Sequence, residues 1–227
     1  MEIQLLQQPD SAIAKVTLDA DEEIVAEAGS MIAMSPHISA NTTLRQGKGG
    51  GLLGGLKRLL AGESLFLSVF RSLGQAGEIY LAPDFMGDLM VYDMRGEELV
   101  VQSSAYVACA SSVDVDLGFQ GFKRGILSGE SLFWLTISGQ GPLLLSSFGG
   151  IYSVEVNGEY IVDTGHIVAF ERGLNFEIGK PPGSTWLSTF LGGEGFVCRF
   201  KGRGTVYCQT HNPGAFGRLV GSLLPPR

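Results

Sequence analysis

Three stretches of the chain repeat one pattern, and this repetition limits the fold more than any other feature. Residues 27–34, 102–109 and 163–170 read EAGSMIAM, QSSAYVAC and DTGHIVAF. Each has an acid or amide, small residues, a variable position, two apolar residues, an alanine and a final apolar residue. Apolar residues also precede each stretch, so each predicts a strand, a tight turn and a second strand. Repetition at this scale predicts three copies of one structural unit.

Further elements follow in the same order in each copy. A Gly-Glu pair is followed by an apolar strand, a glycine-rich turn at 74–77, 139–141 or 202–204, and another apolar strand. In the first motif, at 27–34 and 163–170, we expect Gly29 and Gly165 to supply the positive φ that a tight turn requires. The residues that define the repeat structurally are Gly29, Gly165, Glu63, Glu130 and Glu194.

Short apolar runs bounded by glycine and polar residues predict an all-β fold. The chain has 33 glycines among 227 residues, about twice the usual share of ~7%. One meander of short strands cannot bury both of its faces, so we expect three copies to share one core. The sequence predicts a single globular unit over 1–227, with repeats at about 1–85, 86–148 and 149–211. A helical tail over 212–227 follows, with an amphipathic piece from Phe216 to Leu224.

Short segments with helical spacing precede the Gly-Glu pairs and carry apolar and basic side chains. They form the candidate interaction surface, which comprises Leu52, Leu53, Leu56, Lys57, Arg58, Lys123 and Arg124. Three roles are open for residues 47–62: an interface between copies, a cap on the end of a barrel, or contact with a membrane surface.

The charge and the cysteines restrict the partners and the compartment. The formal net charge of −7 argues against nucleic acid, whose binding depends on clustered lysine and arginine. The chain has three cysteines without a CxxC spacing, and it begins without the basic and apolar regions of a signal peptide. We therefore expect reduced thiols and a cytoplasmic protein with no membrane-spanning segment.

The sequence predicts no catalytic residues, no metal and no cofactor. His37, His166 and His211 are far apart and lack the spacing of metal ligands. Ser64 and Ser131 follow the Gly-Glu pairs in two copies, but glycine replaces them in the third. A serine and a glutamate without histidine lack a general base of suitable pKa.

Three motifs stand out: GGLLGGLKR at 50–58, GESLF at 62–66 and 129–133, and the segment from GEGFV at 193–197 to Gln209 and Thr210. In these motifs the chain resembles the family named for altered inheritance of mitochondria 24. The resemblance implies a triplicated, double-stranded β-helix like that of the tryptophan RNA-binding attenuation protein (TRAP). It also implies homotrimers that form a closed ring of similar units, and it implies no defined biochemical activity.

The function predicted from the sequence is therefore a non-enzymatic, oligomeric scaffold or binding module. Its expected partner is a second copy of the same chain, and another protein partner is left open. Two alternatives stay open beside it. One is a ring that binds a small ligand or a nucleic acid, and the other is a peripheral membrane or partner-docking protein.

Overall fold

Short apolar runs between turns form strands throughout the parts of the chain that the computed structural model describes, which are residues 1–44, 66–116, 134–183 and 196–225. The strands are β1 (Glu2–Leu6), β2 (Ile13–Leu18), β3 (Glu23–Glu27), β4 (Met31–Met34), β5 (Ile38–Leu44), β6 (Phe66–Ser72), β7 (Gly77–Leu81), β8 (Leu89–Arg95), β9 (Leu99–Gln102), β10 (Tyr106–Ala110), β11 (Val113–Asp116), β12 (Trp134–Ser146), β13 (Ile151–Asp163), β14 (Ile167–Glu171), β15 (Asn175–Gly179) and β16 (Val197–Gln209). One α-helix, α1 (Pro213–Leu223), follows them in these ranges. The all-β prediction is confirmed.

The strands form two antiparallel sheets. A four-stranded sheet has the order β1-β2-β7-β4. A twelve-stranded sheet follows the path β13-β16-β14-β9-β12-β10-β3-β6-β5, and β8, β11 and β15 pair at its sides with β12 or β16. The sheets do not close into a barrel, because β4 and β13 stand at the ends of their paths.

The pairing follows one scheme in three successive parts of the chain. β3 and β4 pair with β6 and β7, β9 and β10 pair with β12, and β13 and β14 pair with β16. The second strand of each set has an irregular register at the same place, between Met31 and Ala33, Tyr106 and Ala108, or Ile167 and Ala169. The repeated sequence pattern therefore coincides with a repeated pairing pattern.

Strands β12 and β16 are each 13 residues long, and along at least one edge the two halves of each strand pair with different neighbouring strands. Each carries a Gly-X-Gly at its middle, and these glycines have φ of 115° and 126° at Gly139 and Gly141, and 121° and 157° at Gly202 and Gly204. Glycine tolerates this conformation without a Cβ penalty. We infer that these glycines bend the strands, so that their two halves join different parts of the fold.

Three clusters of buried side chains fill the core, and each draws on more than one repeat. Val25, Tyr106 and Leu143 lie in the first of them. The buried Tyr106 hydroxyl donates a hydrogen bond to the Val25 carbonyl at 2.8 Å, which ties the first repeat to the second. In the third cluster the Phe170 and Phe200 rings meet at 5.0 Å between centroids.

One of the two glycine expectations is confirmed and the other is wrong. Gly29 has a φ of 99° in the turn between β3 and β4. Gly165 lies instead in a 3₁₀ turn, Thr164–His166, and its φ is not positive. A Cβ at Gly165 would collide with the Asn212 side chain, so this position requires a small residue because of close packing.

The C-terminal helix runs from Pro213 to Leu223, which lies within the helical tail expected over 212–227 and includes most of the amphipathic piece from Phe216 to Leu224. The Asn212 side chain accepts a hydrogen bond from the Ala215 backbone N–H at 3.0 Å, and proline stands at the first helical position. Both are favourable at a helix N-terminus. The other predicted helical segments lie outside the described residues.

Candidate functional site

The candidate interaction surface predicted from the sequence cannot be placed. Leu52, Leu53, Leu56, Lys57 and Arg58 fall within 45–65, and Lys123 and Arg124 fall within 117–133, all outside the described residues. The same holds for the repeat-defining residues Glu63, Glu130 and Glu194. The structure instead draws attention to two strand edges and one groove.

Strand β4 is exposed along its whole length. Ile32 is 55% exposed and Met34 is 37% exposed. The counterparts of Ala33 on β10 and β14 are Ala108 and Ala169, which are fully buried like nearly all of their strands. Of the three strands that share this sequence pattern, β4 is therefore exposed and the other two are buried.

The difference comes from neighbouring strands. β10 lies between β12 and β3, and β14 lies between β16 and β9. Among the described strands, β4 pairs with β7 alone, so its other edge faces outward. An open edge presents unpaired backbone N–H and C=O groups, which readily accept another strand.

A second open edge lies on β13. Its C-terminal half pairs with β16 and, within the described ranges, with no other strand. The corresponding strands β3 and β9 have neighbours on both sides. Tyr160 on this edge is 48% exposed, whereas its counterparts Ile24 and Leu99 are fully buried. Within the described residues, β4 therefore has an open edge where its counterparts β10 and β14 have none, and β13 has one where β3 and β9 have none.

An open groove with a volume of about 900 Å³ lies between β8 and the turn after β14. Four carboxylates and two guanidinium groups line it, so its lining is net negative. Its residues are Met90, Val91, Tyr92, Asp93, Arg95, Glu97, Glu98, Glu171, Arg172, Gly173 and Tyr207. Ion pairs join Arg95 to Asp93 at 3.2 Å and Arg172 to Glu98 at 3.9 Å.

Two tyrosines form the aromatic part of this groove, with the Tyr92 and Tyr207 rings edge-to-face at 5.7 Å between centroids. Burial raises the pKa of Tyr92, and the carboxylate of Glu97, which accepts its hydroxyl hydrogen bond, raises it further. Burial and the nearby Glu171 raise the pKa of Tyr207. Both hydroxyls are therefore protonated at neutral pH.

Each of the three histidine rings has a nitrogen within hydrogen-bond distance of an oxygen atom of the chain. His37 Nε2 lies 3.0 Å from the Ala76 carbonyl, His166 Nδ1 lies 2.8 Å from the Gln209 carbonyl, and His211 Nδ1 lies 2.8 Å from the Thr210 hydroxyl. Across the described ranges, no three histidine, cysteine or carboxylate residues cluster as a metal site would require. No helix in those ranges is long and apolar enough to cross a bilayer.

The three cysteines, Cys109, Cys198 and Cys208, are buried, and Cys198 and Cys208 form no disulfide. Burial raises the pKa of the Cys198 thiol to about 12 and that of Cys208 to about 11. Such thiols are protonated at neutral pH, so they are poor nucleophiles and poor metal ligands.

One carboxyl group outside the groove has a perturbed pKa. Glu27, at the end of β3, is partly buried, and burial together with the charge of Asp84 raises its pKa to about 7. The Glu27 carbonyl accepts a hydrogen bond from the Ser30 hydroxyl at 2.7 Å, which holds the turn to β4.

The sequence analysis did not single out β4, the open edge of β13 or the groove. The sequence of β4 matches those of two buried strands, so it carries no sign of its exposure. Tyr92 and Tyr207 are distant in sequence and meet only because β8 and β16 converge. The repeat pattern was the available signal, since a chain with three units in a row leaves its first and last units without one neighbour.

Comparison with known proteins places the chain among proteins without an assigned activity. It is 28% identical over 219 residues to an uncharacterised protein of Streptococcus pyogenes, covering 94% of this chain and 87% of the relative. The crystal structure of a Streptococcus pyogenes protein from a structural genomics consortium is similar with a TM-score of 0.81 and 26% identity, covering 98% of this chain and 99% of that one. A family model described as Mitochondrial biogenesis AIM24 matches residues 3–211, and the chain therefore belongs to the AIM24 family.

Proposed function

We propose that this protein is a non-enzymatic, oligomeric scaffold or binding module that assembles as a homotrimer. In this proposal the chain contains three copies of one TRAP-like, double-stranded β-helical unit. The matching strand pairs and the matching register irregularities in the three parts of the chain support the triplication. The trimer is the assembly that the family resemblance implies.

The observation that carries the proposal is the exposure of β4. An apolar strand of this sequence is buried at its other two occurrences and exposed here. An apolar edge strand left in water promotes uncontrolled aggregation, and pairing with another copy protects it. Identical, head-to-tail contacts that close into a ring leave no such edge free.

The mass of the protein in solution tests this proposal. Light scattering at micromolar concentration should give three times the chain mass of 24.2 kDa. A monomer at this concentration would contradict the proposal.

The groove beside Tyr92 and Tyr207 favours a small ligand as the second candidate function. Its net negative lining and its aromatic pair suit a cationic organic amine rather than a nucleic acid. Titration calorimetry with spermidine should show binding that Glu171→Gln weakens. The matched control is Glu177→Gln, which removes a carboxylate on the neighbouring strand β15 outside this groove. Equal binding by both variants would exclude the groove.

We also propose that the protein resides in the cytoplasm. The buried thiols of Cys198 and Cys208, which form no disulfide, support this, because a reducing compartment keeps cysteines in that state. Fractionation of cells that express the full-length protein should recover it in the soluble cytoplasmic fraction.

A further inference from the structure

Among the strand edges that the described residues leave open, those of β4 and of the C-terminal half of β13 correspond to each other through the internal junctions of the chain. Within the chain, β10 joins β3 and β14 joins β9, each time as an antiparallel ladder between adjacent repeats. Both junctions unite a strand of the type of β4 with a strand of the type of β3. β4 and the C-terminal half of β13 are the two strands of these types that lack such a partner in the described structure.

We propose that β4 of one chain pairs antiparallel with the C-terminal half of β13 of a second copy, as a third junction of the same kind. This inference rests on the proposed oligomeric function and names the contact that would build it. The occupant of each edge is another copy of this chain, because the matching edge is present on the same molecule. The contact is head to tail, since the two edges differ.

The internal junctions also determine the register. Ala108 lies opposite Ala26 in the first junction, and Ala169 lies opposite Val101 in the second. The corresponding pair between two copies is Ala33 and Val162. In the same way, Cys109 opposite Val25 and Phe170 opposite Val100 predict Met34 opposite Ile161.

The proposed hydrogen-bonded ladder between β4 and β13 of two copies ends at a defined residue pair. The last internal pairs, Ala110 with Ile24 and Glu171 with Leu99, predict Ser35 opposite Tyr160. The next residue is Pro36, which has no N–H to donate. In the second internal junction the corresponding residue, Arg172, donates its backbone N–H to the Glu98 carbonyl at 3.0 Å. The contact between copies therefore stops one hydrogen bond earlier.

The side chains that this contact would cover are those left exposed in the single chain. Ile32 and Met34 on β4 and Tyr160 on β13 all have counterparts that are almost fully buried at the internal junctions. Pairing brings the three exposed side chains into the environment of their counterparts. One contact thus accounts for both departures from the repeated burial pattern.

Cysteine cross-linking tests the inference. Directly opposed cysteines on adjacent strands lie within or near disulfide range. On oxidation, the double variant Met34→Cys/Ile161→Cys should give covalent dimers and trimers on a denaturing gel. Each single variant should stay monomeric on that gel, because its cysteine faces no copy of itself. A mixture of the two single variants should give dimers.

A register control uses Met34→Cys/Glu159→Cys, which places the two cysteines diagonally at about 7 Å, and its cross-linking should be roughly tenfold slower. The native cysteines are buried and identical in all variants. Hydrogen exchange of unmodified protein provides a second measurement. The β4 amides that face away from β7 should be protected above the dissociation concentration and should exchange freely below it, whereas those that pair with β7 should be protected in both states.

The outcomes separate the inference from the proposed function. A trimer that neither forms this disulfide nor protects the β4 amides overturns the inference and leaves the trimer standing on another contact. Cross-linking of Met34→Cys with itself also overturns it, because two β4 strands would then pair with each other. A monomeric protein overturns the proposed function and the inference together.

Discussion

The glycines of this fold differ sharply in how much stability a substitution to alanine would cost. Gly139 on β12 has a φ of 115°, and a Cβ there would lie 2.5 Å from the Ser112 carbonyl oxygen. Gly173 has no positive φ, and nothing in the described structure lies within 4 Å of a Cβ at that position. We expect Gly139→Ala to lower the free energy of unfolding by about 3 kcal/mol through backbone strain and overlap.

Urea denaturation of the two alanine variants measures this difference. Gly173→Ala is the control, and its free energy of unfolding should stay within about 0.5 kcal/mol of the unmodified protein. Equal stability of the two variants would show that β12 does not bend at Gly139 as described.

Glu27 links stability to pH. Its pKa of about 7 in the folded chain lies above the ordinary value of 4.5, so the folded chain holds this proton more tightly than the unfolded chain does. Stability therefore falls as pH rises from 4.5 through 7, where ionisation of a partly buried carboxyl carries its cost. Glu27→Gln removes that cost, and we expect it to stabilise the protein at pH 8 by about 1 kcal/mol.

Urea midpoints of the unmodified protein and of Glu27→Gln, measured between pH 4 and pH 8, test this expectation. The two curves should meet near pH 4, separate as the pH rises above 4.5, and reach their full separation above about pH 7. Parallel curves would mean that Glu27 ionises normally in the folded chain.

Among the elements, β4 carries the strongest expectation about assembly. Met34 on β4 and Val91 on β8 are equally exposed, at 37% and 38%. A glutamate at either position stays in water in the single chain, so neither should unfold the monomer. At the proposed contact, Met34→Glu would bury an unpaired charge and raise the dissociation constant at least about a hundredfold.

Sedimentation velocity at several concentrations compares Met34→Glu with the control Val91→Glu. The first variant should sediment as a monomer where the second remains assembled. Circular dichroism should show the same strand content in both. Assembly of both variants to the same extent would remove β4 from the contact.

At the element scale, the sequence predicted the strands and their repeated order, because apolar periodicity and glycine turns are local signals. It also predicted a helical tail over 212–227, and the helix lies within it, from Pro213 to Leu223 with Asn212 as its cap. It could not predict that 31–34 are exposed and 106–109 are buried, because their residues have the same character. That difference depends on which strand lies alongside, a property of the whole chain.

At the scale of the whole molecule, the proposed linear order of three units would account for the open edges of β4 and β13. Each internal junction pairs a strand that corresponds to β4 with a strand that corresponds to β3. β4 itself, in the first unit, and β13, in the last unit, are left without such a partner. The same reasoning explains why the groove escaped the sequence analysis. Its lining comes from the second and third units, and Tyr92 and Tyr207 meet across their junction.

If assembly covers these edges, thermal stability depends on protein concentration. Only folded chains assemble. Dilution dissociates the assembly and therefore favours unfolding by mass action. For a trimer, a hundredfold dilution lowers the free energy of unfolding by about 2 kcal/mol per chain, which corresponds to a fall in Tm of about 4–8 °C.

Calorimetric or fluorescence melting across that concentration range measures the effect. The Tm of Met34→Glu should be independent of concentration and should equal the limit that the unmodified protein approaches on dilution. Val91→Glu should retain the concentration dependence, since Val91 lies on β8 and on neither strand of the proposed contact. A concentration-independent Tm for the unmodified protein at these dilutions would show that its folding does not depend on a second copy, and β4 would then be a stable, exposed edge of a monomer.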